Sequence, residues 1–146
     1  MRKYIFIGCG SFLGAVLRYV VRGMELQSFL GRIPTGTLVI NLSGAFLLAF
    51  LLTAALEVWT VDSDLRLGLT TGFLGAYTTF STLCKESAGL INSGDYGSAA
   101  AYLTLSAVLG LGFAYLGCLA ARKLALSLSG KREKRKIQIE KKAIEE

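Results

Sequence analysis

Residues 72–82 read GFLGAYTTFST, and this stretch decides how the rest of the chain is interpreted. Two glycines followed by four hydroxyl side chains within five residues make a poor continuous helix. The stretch nevertheless lies inside an apolar run covering about residues 67–91. At membrane depth a helix break is tolerated only where the freed backbone is buried or lines a cavity. We therefore expect a broken membrane helix; a passive kink would explain the glycines but not the hydroxyls.

Three further apolar runs are long enough to cross a bilayer, which takes about 20 residues as a helix. They cover residues 4–21, 37–58 and 98–121. None of these runs alternates with a period of two, so transmembrane strands are rejected. The sequence predicts an all-α integral membrane protein with four transmembrane helices per subunit and both termini on one side.

The composition supports this class. The chain has 146 residues, of which 53% are hydrophobic and 18% charged, and its mean hydropathy is +0.53. Soluble and disordered chains are more polar. With no histidine, no imidazole base or ligand exists, and no nucleophile–base pair is visible. Cys9, Cys84 and Cys118 all lie in apolar stretches and are expected to be small buried side chains.

The formal charge of +6 divides into two halves. Residues 1–126 are expected to form the transmembrane domain, and residues 127–146 a charged, flexible tail that faces the cytoplasm. The tail is interpreted mainly as a solvated segment that biases topology, with attraction to anionic lipid as the alternative. It does not indicate nucleic-acid binding.

Orientation is left open by the sequence. Cations near helix ends give a weak bias that permits insertion in both directions, whereas the tail favours a cytoplasmic location of the termini. Within the connections, residues 24–36 are expected to hold a short interfacial helix, Trp59 to lie at the interface, and residues 92–97 to form a turn. The cations that oppose one another are Arg2, Lys3, Arg66, Arg122 and Lys123 on the terminal side, against Arg22, Arg32 and Lys85.

Glycines spaced four apart occur twice, as Gly10 with Gly14 and as Gly68 with Gly72. Each pair places two glycines on one helix face and allows a neighbouring backbone to approach closely. We expect these faces to pack.

Polar side chains inside the apolar runs are the candidates for function. Arg18 is expected either to serve a structural or vestibule role or to extend to the interface, with equal weight. Asn41 can donate to an anion or form an interhelical hydrogen bond, whereas Thr37 alone favours a bond to the carbonyl four residues earlier. Tyr102 and Ser106 form one stripe with Gly110 on the last helix.

Together these residues resemble the Fluc (CrcB) family of small fluoride channels. The similarity covers about residues 1–124, and the third-run motif is its most specific part. The matching residues are Gly10, Gly14, Arg18, Tyr19, Gly36, Thr37, Leu38, Asn41, Gly44, Gly72, Gly75, Thr78, Thr79, Phe80, Ser81 and Thr82.

The resemblance implies a homodimer of antiparallel (dual-topology) subunits in the inner (plasma) membrane, which is not an enzyme. Two fluoride pores would export fluoride passively, and a central sodium ion would be held by the main-chain oxygens of Gly75 and Thr78. The fluoride pathway would be lined by Thr37, Asn41, Thr79, Phe80, Ser81, Thr82, Tyr102 and Ser106.

Two positions depart from the family pattern. The family usually has a second phenylalanine where this chain has Leu83, so one edge-on aromatic contact with the anion is missing. It often has a hydroxyl where this chain has Gly110. Both departures bear on conduction and not on the fold.

Two other classes of membrane protein are the alternatives. A small dual-topology, proton-coupled multidrug transporter would use a carboxylate in the first helix, which here contains Arg18 and no acid. In a non-transporting membrane assembly protein the polar residues would only hold helices together.

Overall fold

The computed structural model describes residues 1–24, 32–57 and 62–145, with side chains described as far as residue 128. This part of the chain is helical throughout its regular structure and contains no strand, which confirms the all-α prediction. The helices are α1 (Arg2–Gly23), α2 (Thr35–Glu57), α3 (Ser63–Leu67), a π-helical segment (Gly68–Leu74), α4 (Gly75–Tyr77), α5 (Phe80–Asn92) and α6 (Tyr96–Glu145).

Three helices are long and apolar enough to cross a membrane. They are Arg2–Gly23, Thr35–Glu57 and Tyr96–Leu128. Many large apolar side chains on α1 and α6 point outward, including Phe12 at 70% exposure and Leu111 at 76%. Apolar side chains on the outside suit contact with lipid. The last helix continues beyond the predicted end at residue 121, and the division at residue 126 stays a prediction.

The remaining predicted run is made of several helical pieces. α3, the π-helical segment and α4 follow one another without a gap, and then Thr78 and Thr79 adopt extended backbone with ψ angles of 158° and 113°. Helical structure resumes at Phe80. The interruption therefore falls within residues 72–82.

The two glycine pairs meet each other, as expected for packing faces. A Cβ atom added to Gly10 would collide with the Gly68 carbonyl, and one added to Gly72 would collide with the Ile7 carbonyl. Gly14 packs in the same way against the Phe73 carbonyl. Because no side chain separates them, α1 and the π-helical segment are in backbone contact over two turns.

The second close pair is α2 and α6. Gly117 on α6 lies against the Phe46 carbonyl of α2, where a Cβ atom would collide. One small core joins Leu38 and Leu42 of α2 to Tyr102 of α6. A second joins Ile40 of α2 to Leu74 and Tyr77. Helix α2 therefore packs against α6 through one core and against the part of the interrupted segment before Thr78 through the other.

The turn between α5 and α6 is shorter than predicted. Gly94 has φ +79°, a left-handed conformation that glycine adopts without steric cost, and α6 begins at Tyr96. The Ser98 amide donates to the Asp95 carboxylate at 3.1 Å, which caps α6. Residues 25–31 of the expected interfacial helix, together with Val58 and Trp59, fall outside the described residues.

The expectation that all three cysteines are buried is wrong for two of them. Cys9 and Cys84 are exposed, and Cys118 is half-buried. Cys9 lies on the outward face of α1, and Cys84 on that of α5. Apolar surroundings in a membrane sequence indicate burial in lipid or protein, and they do not distinguish the two.

Candidate functional site

Asn41 of α2 holds the interruption between α4 and α5. Its Nδ2 donates to the Thr79 carbonyl at 3.0 Å, and the Thr79 amide donates to its Oδ1 at 2.8 Å. The carboxamide thus satisfies both main-chain groups of one extended residue. The predicted alternative for Asn41, an interhelical hydrogen bond, is present, and one Nδ2 hydrogen stays available for another acceptor.

Two main-chain carbonyls lose their α-helical donors at this point. In a continuous helix the Thr79 amide would donate to the Gly75 carbonyl, but it donates to Asn41 instead. The Thr82 amide would likewise donate to the Thr78 carbonyl, but it donates to the Thr79 hydroxyl at 3.2 Å. Side chains therefore redirect both amides, and the carbonyls of Gly75 and Thr78 are released from helical bonding.

The hydroxyl side chains of this stretch have local tasks. Thr79 caps the N-terminus of α5, and its Oγ1 lies 2.9 Å from the Thr82 Oγ1. Thr78 donates to the Leu74 carbonyl at 2.9 Å, and its methyl group fills the space next to Gly44. Ser81 is exposed. Capping and back-bonding therefore account for part of the hydroxyl cluster.

Arg18 lies beside the interruption. Its Nη1 is 3.5 Å from the Thr78 carbonyl, and the contact is partly buried. Of the two interpretations of Arg18, the contact favours the structural one. It also places a positive charge next to the released carbonyls.

An open groove of about 350 Å³ runs past the interruption. Phe80, at 77% exposure, forms part of its wall, and a Cβ atom on Gly75 would meet nothing within 4 Å. Three of its four polar lining residues, Asn41, Thr78 and Thr79, lie at the interruption, and the fourth, Thr70, lies in the π-helical segment. The residues that line the groove include Asn41, Gly44, Thr70, Gly75, Thr78 and Phe80.

A second polar cluster is centred on Glu86 of α5. The sequence did not predict Glu86 as a functional residue. Thr37 donates to its Oε1 at 3.0 Å, and Tyr102 donates to its Oε2 at 2.8 Å. The Arg22 guanidinium lies 3.5 Å from Oε1. Thr37 therefore bonds across to α5, and the expectation of a bond to its own helix is wrong. The signal that was available is the acid itself, since a carboxylate in an apolar run needs partners.

The rest of the predicted stripe on α6 differs from Tyr102. The Ser106 hydroxyl is buried and has no hydrogen-bond partner among the described residues. A Cβ atom on Gly110 would meet nothing within 4 Å. Leu83 packs against the core of Leu38, Leu42 and Tyr102 and so points away from the groove.

The predicted residues thus fall into two groups and one outlier. Asn41, Thr78, Thr79 and Phe80 meet at the interruption, with Ser81 and Thr82 in the first turn of α5. Thr37 and Tyr102 meet at Glu86, farther along α5, and Ser106 lies one turn beyond Tyr102 on α6. The hydrogen bonds of Asn41 with Thr79 hold the first group together, and those of Thr37 and Tyr102 with Glu86 hold the second.

A cation site at this point would have to use main-chain oxygens. The described residues contain no cluster of three or more side chains of the Cys, Asp or Glu type. Released carbonyls at a helix break are ligands that suit Na⁺, and Gly75 and Thr78 supply two of them. These two oxygens are of the type that suits Na⁺ but fill only part of its coordination shell, and the Thr78 oxygen also lies 3.5 Å from Arg18.

The fold and this site define a class: a small, multi-pass helical membrane protein in which polar side chains of neighbouring helices hold open an interruption. The model of the family described as CrcB-like protein, Camphor Resistance (CrcB), matches residues 5–118. The chain belongs to this family, which confirms the resemblance inferred from the sequence.

Individual relatives match over nearly their whole length. One from a Hydrogenobaculum species is 46% identical over 115 residues, covering 79% of this chain and 93% of the relative. One from Methanococcus maripaludis is 41% identical over 121 residues, covering 83% and 97%. Both are named fluoride-specific ion channel FluC. A Carboxydothermus hydrogenoformans relative, FluC 2, is 45% identical over 127 residues, covering 86% and 89%.

Proposed function

We propose that the protein is a fluoride channel of the plasma membrane, which passively exports fluoride from the cytoplasm. The observation that carries the proposal is the interruption at Thr78 and Thr79, held by Asn41 beside an open groove. Irregular backbone at membrane depth lines a cavity or is buried. The names of the relatives supply the ion that this cavity conducts.

The chemistry of the groove suits a small, strongly hydrated anion. Fluoride leaves water only where hydrogen-bond donors replace its hydration shell. In the groove, Asn41 keeps one free Nδ2 hydrogen. Outside the groove, Ser81 is exposed and the Ser106 hydroxyl has no partner among the described residues. The exposed ring of Phe80 presents a positive edge to an anion. Thr79 orients Asn41 and bonds to Thr82 at the start of α5. Thr37 and Tyr102, which donate to Glu86, complete the proposed pathway.

A sodium ion would be held at the released carbonyls of Gly75 and Thr78. Two carbonyls are too few for a sodium ion, so a second subunit would have to add its own pair. Such an ion would satisfy the carbonyls and raise the local electrostatic potential for an anion.

The proposed assembly is a dual-topology homodimer. The groove is open on one side of the subunit, with Phe80 at 77% exposure on its wall. A groove that carries released carbonyls cannot face hydrocarbon, and a second copy is the economical cover. In this assembly α3 to α5 form the fourth membrane crossing, broken at Thr78. Residues 127–146 stay a proposed cytoplasmic-facing tail outside the channel domain.

The direct test is fluoride efflux from liposomes that contain the purified protein, read with a fluoride electrode. We expect efflux that requires a potassium ionophore for charge balance and neither ATP nor a proton gradient. Chloride efflux at an equal rate, or no efflux from well-folded protein, would reject the channel. Efflux of an organic cation driven by protons would favour the multidrug transporter.

A further inference from the structure

The inner face of helix α5 packs and forms hydrogen bonds within its own subunit. Leu83 and Leu90 pack against the core of Leu38, Leu42 and Tyr102. Glu86 accepts hydrogen bonds from Thr37 and Tyr102. These positions are spaced three and four apart, so they share one side of the helix. The rotation of α5 is thereby fixed.

The opposite face of α5 is exposed and carries three polar side chains. Ser81, Lys85, Ala88 and Asn92 follow at intervals of four, three and four residues, and all four are exposed. Within the described residues, Lys85 takes part in none of the ion pairs, which involve arginines only. Glu86, its neighbour in sequence, points to the inner face and is paired with Arg22. The charge of Lys85 is therefore not neutralised by the adjacent acid.

The depth of Lys85 makes contact with lipid unfavourable. It follows Phe80 by five residues, which is about 7.5 Å along the helix at 1.5 Å per residue, and α5 continues for seven residues to Asn92. Charged side chains within membrane segments usually face protein or a water-filled cavity. The exposed faces of α1 and α6 are apolar by contrast, with Phe12 and Leu111 among their outward side chains. Those apolar faces, rather than the face that carries Lys85, suit contact with lipid.

We propose that Lys85 lines the water-filled mouth of the fluoride pathway and concentrates fluoride at its entrance. The inference rests on the proposed function and adds a residue to it. Ser81 lies one turn before Lys85 on the same face of α5, and it directly follows Phe80 in sequence. A single positive charge about 7 Å from the entrance in water raises the local concentration of a monovalent anion about threefold at low ionic strength. Salt screens this effect, because the Debye length is about 10 Å at 0.1 M and about 3 Å at 1 M.

The experiment compares fluoride efflux of Lys85→Gln with the unchanged protein, at low ionic strength and near 1 M of an impermeant salt. We expect Lys85→Gln to lose about threefold at low ionic strength and to match the unchanged protein at high ionic strength. Lys85→Arg should retain the full rate. The matched control is Lys123→Gln, which removes an exposed lysine from α6 and should leave the rate unchanged.

Equal rates for Lys85→Gln and an active unchanged protein at low ionic strength overturn the role of Lys85 and leave the channel intact. If the protein without any substitution conducts no fluoride, the proposed function itself is rejected. A second measurement needs no variant. A water-soluble, impermeant amine reagent should acylate Lys85 in the reconstituted protein, as read by mass spectrometry with Lys123 as the reference. Absence of the modification at Lys85 also overturns the inference.

Discussion

Asn41 combines the two interpretations that its sequence position allowed. It is an interhelical hydrogen-bonding residue, since it binds the amide and carbonyl of Thr79. It also keeps one donor hydrogen toward the groove. At the scale of single residues, the same side chain that shapes the interruption can thus bind an anion there.

Asn41→Asp should block conduction. The carboxylate retains the bond from the Thr79 amide but cannot donate to the Thr79 carbonyl. It also adds a negative charge, and two like charges about 4 Å apart at an effective dielectric constant of about 20 repel by about 4 kcal/mol. We expect fluoride efflux to fall more than about 100-fold. Size-exclusion chromatography of the variant separates this effect from misfolding, and unchanged efflux from folded protein would remove Asn41 from the pathway.

Leu83→Phe tests the departure from the family pattern. In this subunit Leu83 packs against Leu38, Leu42 and Tyr102, so the larger ring must enter a filled core. Overpacking of this kind costs about 1–3 kcal/mol. We expect a lower melting temperature and unchanged fluoride efflux, with Leu83→Met as the milder control. Faster efflux would show that the ring reaches the pathway and that the missing aromatic limits conduction.

The sequence identified most residues of the interruption and missed their connections. A hydroxyl in an apolar run is visible, but whether it caps a helix or bonds to another helix depends on helix rotation. Thr37 illustrates this, because its partner Glu86 lies 49 positions away. Glu86 lies in an apolar run, and its sequence position alone does not show which helices supply its partners. Its actual partners come from three other helices.

Among the structural elements, the contact of α1 with the π-helical segment depends most on a single residue type. Gly14 lies against the Phe73 carbonyl, whereas Gly8 on the same helix has no atom within 4 Å of an added Cβ. The two glycines therefore form a matched pair.

Gly14→Val should separate the helices and lower stability by at least about 1–3 kcal/mol. Gly8→Ala should be neutral or slightly stabilising, since alanine exceeds glycine in helix propensity by about 1 kcal/mol. Thermal unfolding in detergent, followed by circular dichroism, compares the two variants. Equal melting temperatures would contradict the backbone contact.

The N-terminus of α6 supplies a pH-dependent prediction. The Ser98 amide donates to the Asp95 carboxylate, and with the Ser98 hydroxyl and Arg32 it lowers the pKa of Asp95 below its usual value near 3.8. A lowered pKa means that the cap stabilises the helix above about pH 4 and is lost as the pH falls through the folded-state value.

Asp95→Ala should lower the melting temperature at pH 7, because it removes the acceptor that caps the N-terminus of α6. The difference from the unchanged protein should shrink as the pH falls below about 3.8, where the unfolded state takes up its proton first, and should vanish once the pH has passed the lower folded-state pKa of Asp95. Asp95→Ser is the control, because serine also caps helices. Melting temperatures measured from pH 3 to pH 7 check this, and a difference independent of pH would contradict the charged cap.

Element boundaries were predicted less well than element positions. The apolar runs locate α1, α2 and α6, but the end of α6 lies beyond residue 121 because a helix can continue into a polar sequence. The π-helical segment carries no distinctive residue pattern. It coincides with the close packing of Gly68 and Gly72 against α1, which is a tertiary contact.

At the scale of the whole molecule, ion pairs occur at both ends of the subunit. Arg2 pairs with Asp62 and Arg122 with Glu57 on the terminal side. Arg32 pairs with Asp95 on the opposite side. Because the cations near the helix ends give only a weak bias, we expect the chain to insert in both orientations, as the proposed dual-topology dimer requires.

Accessibility of a tag at residue 1 measures this directly. In intact spheroplasts an impermeant reagent should label one population, and permeabilisation should expose the other. A single orientation would mean that the cations of residues 127–146 determine the topology. An antiparallel dimer would then be excluded.

The central claim is that the interruption at Thr78 and Thr79 lies in a passive pathway for fluoride. Electrical recording across a planar bilayer tests it most directly, with a fluoride gradient and equal chloride on both sides. The current should reverse at the equilibrium potential of fluoride, about 59 mV for a tenfold gradient, and should be lost in Asn41→Asp. A reversal potential near zero, or one that follows an imposed chloride or proton gradient, would contradict the account.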